Sequence, residues 1–230
     1  MPISAFRVSH QTVLLGTPYV KARKSGYWLK RKGQNLFKDE DFPNFEEAWD
    51  AFRTAEIAYL EEISTTSELP HGVDPWSGRY WLSHAIASGE PKSVEWVLSK
   101  GVDVHYVEGG FSALMDALQL ENDCQLKHET EPDGAAAITI NIIDQLVAAG
   151  VDVNQRLNLN YTALHSAVAW SSITVIRHLL DLSADPSVCN TDHCTSYGSS
   201  VDQAKLLKRW DVHELLCEAL GLAPSGRPLR

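Results

Sequence analysis

The chain has 230 residues, 44% of them hydrophobic and 22% charged, and a formal net charge of −10. That is ordinary material for one self-folding domain with or without an extension. No window approaches the ~18 consecutive apolar residues of a membrane span, Met1 to Gly16 lacks the pattern of an export signal, and four cysteines without framework spacing exclude a disulfide scaffold. The expectation is a soluble cytoplasmic protein.

The charge is unevenly placed. Met1 to Lys38 holds eight Lys or Arg and no Asp or Glu, which leaves 12 bases against 30 acids in the remainder, a balance of −18. An acidic body of this kind repels nucleic acid and anionic membrane and favours a partner with a basic surface.

In chain order, Thr12 to Leu15, Tyr19 to Ala22 and Tyr27 to Lys30 are short β-prone runs, and Lys24-Ser25-Gly26 is a turn between the last two, so a small sheet or hairpin is predicted. Lys21, Arg23, Lys24, Lys30, Arg31 and Lys32 alternate there with Tyr19, Tyr27 and Trp28. Rings and cations interleaved in this way suit single-stranded nucleic acid, but no nucleic-acid motif accompanies them and a solvated hairpin face is the favoured reading. Asn44, with Glu47 three residues on, opens one helix in which Phe45, Ala48, Trp49, Phe52, Ile57 and Leu60 trace an apolar side to about Ile63. This helix is expected to cover the first unit that follows. Residues 1–65 are thus read as a basic hairpin plus capping helix, and 66–78, rich in Ser, Thr, Pro and Gly, as a linker.

Beyond it the sequence repeats itself. Tyr80 to Ala85, Ser112 to Ala117 and Thr162 to Ala167 share a Leu followed three residues later by Ala. Each leads to a second apolar stretch (Val94 to Leu98, Ile142 to Val147, Val175 to Leu180) and a terminator (Gly101-Val-Asp-Val104, Gly150 to Asn154, Ser183-Ala-Asp-Pro186). A hydroxyl at a helix start caps free N–H groups, a small Ala lets helices approach, and Gly supplies the left-handed residue that ends a helix. This pattern resembles the ankyrin repeat, most closely where Thr162, Leu164, His165 and Ala167 fit Thr-Pro-Leu-His-x-Ala with Ala163 in place of Pro.

The register agrees. Leu82 and Leu114 stand 32 residues apart, close to the ~33 of this repeat. Leu114 and Leu164 stand 50 apart, so the second unit carries roughly 17 extra residues. Leu120 to Gly134, polar and Pro/Gly-terminated, is read as a loop that takes up this surplus. Ser200 to Lys205 with Val212 to Leu220 reads as a polar C-terminal cap. The resemblance therefore implies a mainly α ankyrin-repeat solenoid with a small α+β N-terminal extension: repeats over 79–221 (79–110, 111–157, 158–190 and a cap at 191–221), then a tail at 222–230.

It also implies a function. An ankyrin stack binds protein partners through its hairpin tips and the concave face of its first helices. Those positions are His105, Tyr106, Glu108 and Phe111, then Gln155, Arg156, Asn158 and Tyr161, with Gln119 and Trp170 on the first helices. Phe111 and Tyr161 share one structural position, and such paired aromatics are the kind of anchor that dominates interfaces. Trp170 is either a partner contact or a core residue; the 120–134 segment is either a contact or an idle loop. Asn160 stands where the family has Gly, as the next best residue for a left-handed backbone.

Catalytic and metal readings are weaker. Cys189-Asn-Thr-Asp-His-Cys194 gathers metal-binding groups, but no second Cys/His pair lies at finger distance, and two reduced thiols on a loop is favoured. No nucleophile elbow, HExxH or phosphate loop occurs among the nine His and their neighbours. His165 is assigned to the family's structural His, and His84, one place beyond that column, to a helix face. The expectation is a monomeric, non-enzymatic adaptor or inhibitor, of a format that suits an immunity protein, with neither cofactor nor metal. A nucleic-acid-associated protein using the basic hairpin is the alternative.

Overall fold

The computed structural model describes residues 19–21, 28–30, 45–65, 69–74, 77–107, 110–127, 132–190 and 198–223. The protein is mainly helical. Strands β1 (Tyr19–Lys21) and β2 (Trp28–Lys30) pair antiparallel, with Val20 opposite Leu29. Among the described residues ten α-helices follow: α1 (Phe45–Thr54), α2 (Ile57–Ser64), α3 (Trp81–Ser88), α4 (Pro91–Ser99), α5 (Ala113–Lys127), α6 (Pro132–Ala148), α7 (Ala163–Trp170), α8 (Ile173–Asp181), α9 (Ser200–Leu206) and α10 (Trp210–Ala219).

From α3 onward the helices form antiparallel pairs that stack side by side. The inner helices α3, α5, α7 and α9 touch in that order, and so do the outer helices α4, α6, α8 and α10. The sequence columns explain the stacking. Leu82, Leu114 and Leu164 are fully buried, and Ala85, Ala117, Ala167 and Ala204 have no exposed surface at the inner-helix contacts. A larger residue in the Ala column would force neighbouring helices apart. Val94, Ile143, Leu146, Ile176, Leu179 and Leu216 fill the space between inner and outer layers.

The terminators act locally. Gly101, Gly150 and Ser183 take φ values of 71°, 101° and 68° at the ends of α4, α6 and α8. Ser183 therefore holds a backbone that glycine adopts without strain. Two residues further on, the side chains of Asp103, Asp152 and Asp185 each accept the N–H of the second residue ahead, His105, Asn154 and Ser187, at 2.8 Å. The recurrent Asp is thus an Asx turn that folds each unit's exit into the next tip. Asn160 is left-handed at φ 61°, in the place that Gly78 and Gly110 occupy ahead of α3 and α5.

Three expectations are corrected. The segment from Phe45 is two helices, because Ala55 at φ 51° turns the chain back after Thr54. α1 then packs on α3, with Phe52 between Trp81 and Trp96 at 6.3 Å from each ring, while Glu61 of α2 binds the outer helix α4 through Trp96 Nε1 (2.8 Å) and Lys100 Nζ (2.6 Å). The pair lies on the stack as one more helical hairpin. The stretch expected to be a linker is folded where it is described: Leu69 and Asp74 are buried, and Val73 bridges to Tyr80 ahead of α3. Asp74 draws the turn together, accepting N–H groups of Ser77 and Arg79.

The third correction concerns 120–134. The structure is helical to Lys127 and again from Pro132, so the surplus lengthens both helices: α5 has 15 residues against 8 in α3 and α7, and α6 has 17 against 9 in α4 and α8. Helix formers without Gly or Pro run from Ala113 to Lys127, and Pro132 takes the first helical position, where no N–H is required. Burial holds the extension in place. Leu120 covers Gly89, and the buried Glu121 carboxylate accepts the N–H of Ser172 at the start of α8 at 3.1 Å.

Candidate partner-binding surface

Ahead of α3, α7 and α9 the chain closes a turn just before the helix begins. Val73 pairs with Tyr80, Cys189 with Ser199, and the N–H of Leu157 reaches the carbonyl of Tyr161 at 2.8 Å. These turns form a row of tips along one edge of the stack. Gln155 ties two of them, its Nε2 donating to the His105 carbonyl at 3.3 Å, and Asn154 ties the next, donating to the Ser183 carbonyl and accepting from Asp185 N–H. The tips thus present a preordered backbone.

The expected contact residues divide on this edge. His105, Arg156, Asn158 and Gln119 are exposed; Gln155, Phe111 and Tyr161 are half-buried; Trp170, at the last turn of α7, is 60% exposed and so no core residue. Gln119 donates to Asp123 at 3.2 Å, and the Tyr161 ring stacks on His165 with centroids 5.2 Å apart. Glu108 lies outside the described residues, as do His193 and Cys194 of the cysteine segment and the cationic side chains of the N-terminal hairpin. Among the described residues no group of three His, Cys, Asp or Glu is placed to hold a metal ion.

Tyr106 is the clear correction. It is 3% exposed, its ring stacks on Tyr80 at 4.3 Å, and its hydroxyl donates to Asp116 at 2.6 Å, so it holds adjacent units together and is closed to a partner. Burial, then the charge and hydrogen bond of Asp116, push the phenol well above its usual range. Arg79 completes the cluster, reaching Asp116 at 3.2 Å and the Ser83 hydroxyl. Beside it, His84 Nε2–H donates to Asp74 at 2.7 Å, with both side chains buried. Burial raises the Asp74 carboxyl, but the hydrogen bond and charge of His84, together with Ser77, outweigh it and hold the group below the usual carboxylate range. His84 is therefore an internal strut and not a helix-face residue.

His165 closes the start of its own helix, while among the described residues no hydrogen bond joins its Nε2 to the next unit. Its Nδ1 accepts the N–H of Thr162 at 3.3 Å and lies 2.8 Å from the Thr162 hydroxyl, while the backbone of Val188 and Gly198 faces the ring. Burial, only partly offset by that backbone, lowers its pKa.

Two exposed residues escaped the sequence reading. Leu206 (59% exposed) and Leu207 (43%) end α9, beside the end of α7. Arg209 fixes this proximity, donating to the carbonyls of Val168 at 2.9 Å and Ser171 at 2.8 Å. The signal was available: Leu207 follows its capping Ser199 by the same eight residues that separate Trp170 from Thr162.

Residues 159–191, spanning one tip, α7 and α8, match the ankyrin repeat family model. The chain is also similar to an L-asparaginase of Dirofilaria immitis, 29% identical across a match that covers 50% of this chain and 23% of that protein. The chain thus spans about a quarter of the length of the curated relative it matches. This likeness overturns the expectation of a protein outside enzymology, since the relative is named as an enzyme. No helix among the described residues is long and apolar enough to cross a membrane.

Proposed function

We propose that this chain is an ankyrin-repeat protein-interaction module, with α3/α4, α5/α6, α7/α8 and α9/α10 as four successive repeats and the α1/α2 hairpin as an N-terminal cover. It acts as an adaptor or inhibitor for a partner protein. One observation carries the reading: an ankyrin match at 159–191 sits inside a stack whose other helix pairs share its columns, turns and order. His105, Gln119, Arg156, Asn158 and Trp170 are the contact candidates that remain open to solvent. The acidic excess of the body favours a partner whose wider surface is basic.

Photo-crosslinking in the source cells tests the proposal. A benzoylphenylalanine placed at Arg156, Asn158 or Trp170 should trap a protein partner, whereas the same group at Glu95 or Arg177 on the outer helices should not. Adducts from the outer positions alone would sink it.

A second reading follows from the L-asparaginase likeness: the chain contributes to the activity for which that relative is named. Ammonia release from L-asparagine by the purified chain, alone and with its crosslinked partner, tests it; no release in either setting rejects it.

A further inference from the structure

One column along the inner helices forms a line that is apolar in three of its four places. Eight residues after each helix-capping position stand Ser88, Leu120, Trp170 and Leu207. The first half of the line is closed, since Leu120 lies 3.5 Å from a Cβ placed on Gly89 and is only 7% exposed. The second half is open. Trp170, Leu206 and Leu207 are all exposed, and Arg209, two residues after Leu207, binds carbonyls on either side of Trp170 at the end of α7.

Acids and bases both stand near the open half: Asp202 is bound to Ser199 at the start of α9, and Asp211 is exposed at the start of α10. Lys205 and Lys208 flank the two leucines, are exposed, and form no ion pair among the described residues. The carboxylates on the neighbouring α5 are engaged, Glu121 by Ser172 N–H and Asp123 by Gln119. At contact distance the nearest charges outweigh the distant field, which is screened within about 8–10 Å.

We infer that Trp170, Leu206 and Leu207, framed by Lys205 and Lys208, form a docking site for an acidic amphipathic helical segment of the partner protein. Apolar side chains spaced three or four residues apart on such a segment cover the Trp and Leu surfaces, and its flanking carboxylates meet the two lysines. A Trp at the centre of a small apolar patch is the residue type that concentrates binding energy. The inference rests on the protein-interaction reading and specifies the chemistry of one part of that surface.

The test uses the full chain and two fluorescein-labelled peptides with one Leu/Phe helical face and either Glu or Lys at the flanking positions, followed by anisotropy. The Glu peptide should bind at least tenfold more tightly than the Lys peptide. Trp170→Ala, and separately the pair Leu206→Ser with Leu207→Ser, should each weaken it at least tenfold, with unchanged circular dichroism. The pair Lys205→Glu with Lys208→Glu should reverse the preference. Equal binding of both peptides, binding indifferent to these substitutions, or no binding at millimolar peptide overturns the site. So does concentration-dependent self-association that disappears in Trp170→Ala, because the occupant is then a second copy. Crosslinks from Arg156 and Asn158 without peptide binding reject this site but keep the wider reading; loss of both rejects the wider reading.

Discussion

The two junctions at either end of the stack solve one problem by different means. Between α3 and α5 the units are joined by an ion pair, Arg79 with Asp116, to which the Tyr106 hydroxyl also donates, and the first unit holds the buried pair of Asp74 and His84. Between α7 and α9 the joint is made to the backbone, by Arg209 on the last carbonyls of α7. The later junction is also the one where the sequence follows the ankyrin pattern. Where the first unit lacks the pattern's His, with Ser83 in its place, longer-range ionic contacts substitute for it. Such contacts make that end dependent on pH and intolerant of losing one member, because an unpartnered buried charge costs more than a missing neutral bond.

The contrast can be broken by three substitutions. The largest effect is expected from His84→Ala, which leaves Asp74 buried without its main partner and should cost about 3 kcal/mol or more, read as a lower urea midpoint at constant slope. The pH dependence follows from the sign of the Asp74 shift. Its folded pKa is depressed, so its contribution is present above the usual carboxylate range and is lost as pH falls through the depressed value. Stability of the variant should accordingly fall less steeply in acid than that of the native chain; equal slopes would show that the pair carries no linkage. Arg209→Ala should cost less, about 1–3 kcal/mol, with no comparable acid limb, because it removes hydrogen bonds to carbonyls. If it matched His84→Ala in size and pH profile, the distinction between the junctions would fall. Ser183→Gly sharpens the role of the terminators. It should stabilise by about 0.5–1 kcal/mol, since it relieves a positive φ of 68° at some cost in chain entropy, and a loss of stability would refute the strain argument.

Much of the path of the chain was legible because the residues that set it act within a few positions of themselves. Asp103, Asp152 and Asp185 fold their own turns, Gly101 and Gly150 end their own helices, and Thr162 pairs with a His three residues on. The contact surface was less legible. Tyr106 stood at a tip position and proved buried, because Tyr80 and Asp116, 26 and 10 residues away, happened to receive its ring and hydroxyl. Leu120 to Lys127 looked like a loop by composition and became helix, because Gly89 and Ser172 offered contacts to Leu120 and Glu121. Trp170 and Leu207 share a column with the buried Leu120, and nothing in the column says which of them a neighbour covers.

The amino-acid sequence by itself therefore determined the unit: its caps, its Leu and Ala columns, its terminators and the mainly helical class that results. Those are demands of backbone hydrogen bonding and local sterics, and they are met or missed within a single helical hairpin. Tertiary structure alone decided that Ala55 splits the covering helix, that Asp74 and His84 form a buried strut, and that the apolar line of inner-helix ends closes at Leu120 and opens at Trp170. The physical reason is that burial belongs to pairs of units, so it depends on what the adjacent hairpin presents, and that is fixed only when the hairpins stack.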